Sequence, residues 1–207
     1  ACIAADSTES FEVLQGPDGL GRWINDPAAG YPWLRDDLGT PSGLTGPTAA
    51  ATGQYYVRVE SSISTFGTTP PTSIITSCVD LSSWTLPGMS WQYHMYGAGM
   101  GTLDVDVSTD GGLTWTNEWS LSGDQGNIWL PAFVDLSAYS GVIDIRFSML
   151  MGSTTAPTYQ GDAAIDEVVF SELTLGCTDP FADNYDPLAF VDDGTCLYTG
   201  CLDSYAS

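Results

Sequence analysis

The chain has 207 residues, 26 acids against four bases and a formal net charge of −22. All four bases are arginines (Arg22, Arg35, Arg58 and Arg146) and there is no lysine, a balance that repels nucleic acid and anionic membrane. Aromatics make up 12% and hydrophobics 43%, too many for a disordered acidic tail; one substantial domain with a small appendage is expected at this length.

Period-two alternation runs through the chain, with no long helical stripe. "QYYVRVE" and "MSWQYHMY" are the first clear strand candidates. In "GTLDVDVS", Leu103, Val105 and Val107 point one way while Asp104, Asp106 and Ser108 point the other. "VIDIRFSM" places Ile143, Ile145, Phe147 and Met149 inside, and Asp144, Arg146 and Ser148 outside. "AAIDEVVF" follows, and its alternation predicts an outward, solvated Asp166. Such strands, separated by Gly, Pro, Ser and Thr turns and with no intervening helices, predict an all-β protein, an antiparallel jelly-roll β-sandwich over residues 1–175.

The stretch from Gly176 onward changes character. "GCTDPFADNYDPLAFVDDGTC" is followed by "GCLDSYAS", and at a 24-residue offset Gly176, Cys177, Asp179 and Ala182 meet Gly200, Cys201, Asp203 and Ala206. Phe181 meets Tyr205 in the same register. A fixed period in the twenties marks a tandem array. Residues 176–199 are read as one cysteine-bracketed, Asp-rich repeat and 200–207 as the truncated start of the next. The expectation is a segment of a longer protein.

There are five cysteines. Cys177 and Cys196 bracket the repeat and close a loop of about twenty residues, worth roughly 3 kcal/mol. Cys201 opens the next unit, so its mate is expected beyond Ser207. Cys2 and Cys78 pair with each other, or Cys2 belongs to whatever precedes Ala1. Five reduced thiols are the competing reading, against which stand the regular spacing and the absence of a CxxC motif. No signal peptide or apolar span is present in this segment; it reads as folded, acidic and extracellular, at a cell surface.

"YHMYGAGMGTLDV" (Tyr93 to Val105) resembles the signature of MAM domains, extracellular adhesion modules with a jelly-roll sandwich. The likeness continues in order: Phe11-Glu12, Tyr31-Pro32-Trp33, "TPSGLTGP" from Thr40 to Pro47, "GDQGNIW" from Gly123 to Trp129, and "GDAAIDEV" from Gly161 to Val168. The tail unit is similar to "GCTDPxAxNYDP" repeats of large bacterial surface proteins, many exported by the type IX secretion route. Together these imply a non-catalytic segment of a large adhesin or filament. A lectin-like carbohydrate-binding module of a secreted multidomain enzyme is the alternative, and a plain spacer a third. Cell-surface glycans, proteins or copies of the chain itself are the expected partners.

Calcium is the expected cation. Asp179, Asp183, Asn184, Asp186, Asp192 and Asp193 fall within fifteen positions, and closely spaced Asx residues supply the six to eight oxygens that Ca²⁺ takes. Against this, "TDP" and "YDP" read equally as Asx-Pro turns. In the sandwich, the resemblance implies a cation held by Glu12, Asp162 and Asp166, with Glu167 beside them, bridging the first and last strands. Ala50 and Pro32 stand where relatives carry acids.

"STDGGLTW" (Ser108 to Trp115) fits an Asp-box turn, with Asp110 bonding backbone amides, Gly111 and Gly112 at positive φ and Trp115 packed beneath. "GAGMG" (Gly97 to Gly101) lacks the strand-to-helix context of a phosphate loop and reads as a wide hairpin turn. His94, the single histidine, falls on the face of Ser90 and Gln92 as a cross-strand hydrogen-bonding residue. With no lysine and no GxSxG, no triad is written in the sequence. Trp115 and Trp119, four apart, share a face if the strand is regular and are the candidate sugar-stacking pair; most of the seven tryptophans are expected in the core.

Overall fold

The computed structural model describes residues 2–3, 7–62, 72–76, 78–150 and 159–199, with the backbone alone over 72–76. The start of the second repeat at 200–207, Cys201 included, lies outside the described residues. The chain divides into two compact units, Ala1–Ser171 and Glu172–Ser207.

The first unit is a sandwich of two sheets. In chain order its strands are β1 (Ser7–Glu9), β2 (Trp23–Asn25), β3 (Trp33–Asp36), β4 (Tyr56–Val59), β5 (Thr72–Thr76), β6 (Val79–Asp80), β7 (Pro87–Met95), β8 (Thr102–Ser108), β9 (Thr116–Ser122), β10 (Leu130–Asp135), β11 (Val142–Leu150) and β12 (Ala163–Glu172). One sheet runs β10-β7-β12-β4-β3 with β1 also on β12; the other runs β2-β5-β11-β8-β9 with β6 also on β11. The ladders are antiparallel, as in Leu103 opposite Met149 and Trp91 opposite Ala132.

The core forms where alternation places it. Leu103, Val105 and Val107 of β8 meet Ile143, Ile145, Phe147 and Met149 of β11, and Met89, Trp91 and Met95 come from the opposite sheet, all nearly fully buried. Trp91 packs edge-on against both Trp119 and Phe147, with ring centroids 5.1 and 5.4 Å apart. Such aromatic pairs add about 0.5–1.5 kcal/mol each beyond their burial. Cys2 and Cys78 are disulfide-bonded, and the flanking Ile3 pairs in parallel with Val79, tying the N-terminal segment to the second sheet.

Several sequence expectations need correction. "GAGMG" is not a hairpin turn: β7 and β8 lie in different sheets, so this glycine-rich segment crosses the sandwich. Alternation reports which way a side chain faces, not which sheet its strand joins. Gly97, at φ 138°, lets the crossing run against the backbone of Gln160, whose carbonyl oxygen would lie 2.3 Å from any Cβ there. The outward positions Asp106 and Ser148 are buried as well. Asp106 is enclosed because it bonds Arg146 Nε at 2.8 Å and Asn117 Nδ2 at 2.9 Å.

Asp166 is fully buried rather than solvated. Glu167, with φ of 50°, interrupts the alternation of β12, as a bulge does. Ile165 and Val168, three apart, therefore both enter the core. Asp166 is covered on its own side by residues 51 and 52, whose N–H groups it accepts.

The second unit holds a short parallel pair, β13 (Leu175–Gly176) and β14 (Val191–Asp192), and the Cys177–Cys196 disulfide. Its interior is small: Leu173, Cys177 and Ala182 are buried, whereas Phe181 is 91% exposed. A unit this size needs such a staple.

Candidate functional site

Of the acids expected to hold a cation in the sandwich, Glu12 and Asp166 are brought close to one loop, and backbone amides occupy them. Glu12 Oε1 accepts the N–H groups of Gln54 and Tyr55, both at 2.8 Å. Asp166 Oδ2 accepts Ala51 N at 3.0 Å and Thr52 N at 3.2 Å, while its Oδ1 accepts Glu167 N at 2.8 Å. The hydroxyl of Thr52 donates to Glu167. Arg35 completes the clasp, donating from Nε to Phe11 O at 2.6 Å and from Nη2 to Glu12 O at 3.0 Å. Its guanidinium lies over the Tyr55 ring, 3.3 Å from the centroid. The N-terminal segment and the last sandwich strand thus grip the same loop through peptide groups.

The electrostatics differ between these carboxylates. The amides of Tyr55 and Gln54 hold Glu12 below the usual carboxylate range. Burial pushes Asp166 up to about 6 despite its three amide donors. Asp162 stands apart: its Oδ1 accepts Ser61 N at 2.7 Å and Ser61 Oγ at 2.8 Å, and burial raises its pKa. Its Oδ2 is buried and has no hydrogen-bond partner among the described residues. Among the described residues no three His, Cys, Asp or Glu side chains gather where a metal ion could be held.

The tail acids are distributed along turns. Asp179 accepts Phe181 N, Asp186 accepts Leu188 N and Asp192 accepts Gly194 N, each at 2.9 Å. Asp193 accepts Thr195 N at 2.9 Å, and Asp183 accepts the Thr199 hydroxyl at 2.7 Å. Asn184 donates to Thr195 O at 2.9 Å and accepts Leu197 N at 2.7 Å. Each of these groups shapes backbone, as Asx turns do.

Trp115, just before β9, and Trp119, within it, face opposite ways. The register shifts at Val105/Asp106, so that Trp119 sits opposite Val105 and Asn117 opposite Asp106. Glu118 is the extra residue, and the four-residue spacing no longer keeps one face. Trp119 turns inward onto Trp91 and Tyr93. Trp115 stays outside beneath Arg146, whose guanidinium is 4.4 Å from the ring centroid. No described tryptophan is among the exposed large hydrophobics.

The Asp-box turn joins β8 to β9. Asp110 Oδ1 accepts Leu113 N at 3.0 Å and Thr114 N at 2.9 Å, Oδ2 accepts the Thr114 hydroxyl at 2.6 Å, and Gly111 and Gly112 take φ of 75° and 83°. The Thr114 hydroxyl and amide, with Ser108, pull the Asp110 carboxyl down to about 2. His94 is buried, with Nε2 3.1 Å from Asn127 Oδ1 and its ring edge-on to Trp129. Burial holds its pKa low. Sequence reasoning passed over one element, a groove beside β1 bordered by Arg22; a lone arginine in a glycine-rich loop carries no periodic signal.

Two antiparallel sheets, a disulfide-tied N-terminus and a carboxylate clasp closing the last strand define a jelly-roll module. Residues 10–177 match the MAM domain, meprin/A5/mu, and the chain belongs to that family. Human MAM domain-containing glycosylphosphatidylinositol anchor protein 1 is 42% identical over 95 residues, 44% of this chain and 9% of that protein. Thyroid hormone-induced protein B of Xenopus laevis is 26% identical over 162 residues, 75% of this chain and 21% of that protein. The chain therefore spans a small part of the curated relatives it matches. Among solved structures, the K2 cleaved adhesin domain of Lys-gingipain shares the fold at TM-score 0.57 and 18% identity, over 81% of this chain and 98% of that one. The K1 domain from Porphyromonas gingivalis W83 shares it at 0.53 and 19%, over 82% and 99%.

Proposed function

We propose that the chain is a non-catalytic, extracellular adhesive segment of a larger cell-surface protein, meeting glycans, proteins or copies of itself. The observation that carries this reading is membership of the MAM family over residues 10–177. Two disulfides support an oxidising compartment. Glu12 and Asp166 are engaged with backbone amides, and His94 is buried and paired with Asn127. The repeat at 176–199 would extend the assembly in the manner of an array exported by the type IX route. Calcium enters this reading as a diffuse counter-ion: with a net charge of −22, apposed surfaces need divalent cations to screen or bridge their carboxylates.

The test is a glycan array probed with the full chain in calcium and in chelator, run beside sedimentation for self-association. Saturable binding to one partner class, weakened by chelator, supports the reading. Absence of both glycan binding and self-association contradicts it. The second reading, a lectin stacking sugar on Trp115 and Trp119, draws no support from two rings that face opposite ways.

A further inference from the structure

Three of the four arginines are occupied within the fold. Arg35 holds Phe11 and Glu12, Arg58 pairs with Asp36 at 2.6 Å and Glu60 at 2.8 Å, and Arg146 pairs with Asp106 at 2.8 Å. Arg22 is different. It is exposed, and among the described residues its guanidinium has no ion-pair or hydrogen-bond partner. On a chain so acidic, an unpaired cation is conspicuous.

Arg22 lines a groove of about 230 Å³ along β1. The floor includes Ile3 and Phe170, both nearly fully buried, and the rim includes Thr8, Ser10 and Gln15. The backbone that carries Arg22 is fixed. Glu9 accepts Phe11 N at 3.1 Å and Arg22 N at 3.3 Å, which engages its carboxylate within the groove wall. Gly21, at φ 67°, lies against that carboxylate so closely that a Cβ would come within 1.8 Å of Glu9 Oε2, and its N–H donates to Gln15 O at 2.9 Å.

We infer that this groove is a subsite for a single carboxylated sugar ring, a hexuronate or similar acid, an inference that rests on the glycan arm of the proposed function. A planar guanidinium matches a carboxylate two-pronged. The hydroxyls of Thr8 and Ser10 and the amide of Gln15 suit ring hydroxyls, and the exposed Val13 side chain in the same lining offers the ring an apolar contact. The volume lies below the roughly 300–1,000 Å³ of drug-sized pockets, so it takes one ring and not a chain. The acidic surround disfavours a long polyanion and tolerates a single charge.

The test titrates the full chain with glucuronate and galacturonate, and separately with glucose, galactose and N-acetylglutamate, following chemical shifts. The uronates bind, the neutral hexoses and N-acetylglutamate bind more weakly, and Arg22→Ala weakens the uronates about ten- to a hundredfold, the effect of losing one charge-assisted contact. Arg22→Lys, which keeps the charge and loses the fork, falls between. The exposed position leaves the melting temperature of both variants unchanged. Uronate binding that survives Arg22→Ala, or that N-acetylglutamate equals, overturns the subsite. Neutral-glycan or self capture with no uronate preference overturns it and leaves the adhesive reading intact. A uronate shift lost in Arg22→Ala, in a chain that sticks to no surface, upholds the subsite and overturns the adhesive reading.

Discussion

Asp166 and Thr52 stand 114 residues apart in the chain, and the carboxylate of the first accepts the backbone N–H of the second at 3.2 Å. With Ala51 and Glu167 donating to the same side chain, this contact closes the last sandwich strand over the loop that follows the Gly-Pro segment. Asp166→Ala leaves three N–H groups without their acceptor, each costing about 1–3 kcal/mol where water cannot replace it. The expected loss is about 2–4 kcal/mol in denaturant unfolding, the same with calcium and with chelator. A loss seen only in calcium would mean that the carboxylate serves a cation instead.

The same residue sets a pH dependence of definite sign. Burial raises the folded-state pKa of Asp166 to about 6, against about 3.9 in an unfolded chain. The folded state holds its proton more tightly, so this contribution is full below about pH 4 and is lost as pH rises from 4 through 6. Asp166→Asn removes the titration, and the wild-type-minus-variant stability difference declines across that window. Asp110 acts oppositely: its pKa is lowered to about 2, so its contribution is present above about 4 and lost as pH falls through 2. Chemical-shift titration of the two carboxyls reads both directions.

The disulfides act on separate units. Cys177–Cys196 spans 19 residues and Cys2–Cys78 spans 76, worth about 3 and about 4.5 kcal/mol in the chain-entropy model. The Cys177→Ser/Cys196→Ser pair is expected to unfold residues 176–199 while the sandwich keeps its near-ultraviolet signal. Amide exchange across the chain measures this; loss of protection in β7, β8 and β11 as well would contradict it.

Trp119 contributes to packing through Trp91 and Tyr93. Trp119→Ala is expected to cost about 2–4 kcal/mol as a large-to-small core change. Trp115→Ala, which removes the outer ring under Arg146, costs less. Neither substitution reduces binding of the folded chain to its partner, as a glycan array on both variants checks. Loss of binding in Trp115→Ala with an unchanged melting temperature would return the lectin reading to first place.

What the sequence made legible follows from what alternation encodes. Leu103, Val105 and Val107, like Ile143, Ile145, Phe147 and Met149, read correctly as core because a regular strand repeats its facing every two residues. The crossing from β7 to β8 did not, since facing carries no information about which strand lies alongside. Asp166 and Trp119 were misplaced for different reasons. Asp166 is buried by residues 51 and 52, more than a hundred positions away, whose N–H groups it accepts, and facing along one strand does not report what covers it. The register shift beside Val105 changes the phase before Trp119 by one residue, and a phase change leaves no compositional mark. The Asp box was readable because its Ser, Asp and glycines act locally. Arg22 was not, because a site assembled from β1, its following loop and Phe170 exists only once the chain has folded.

The measurement closest to the central claim is whether the folded chain makes surfaces adhere. Beads bearing the full chain are predicted to cluster with one another or to capture glycan- or protein-coated beads saturably, with chelator weakening the effect and the captured partner chemically unchanged. No adhesion under any cation condition, or turnover of the partner in place of retention, would contradict the account.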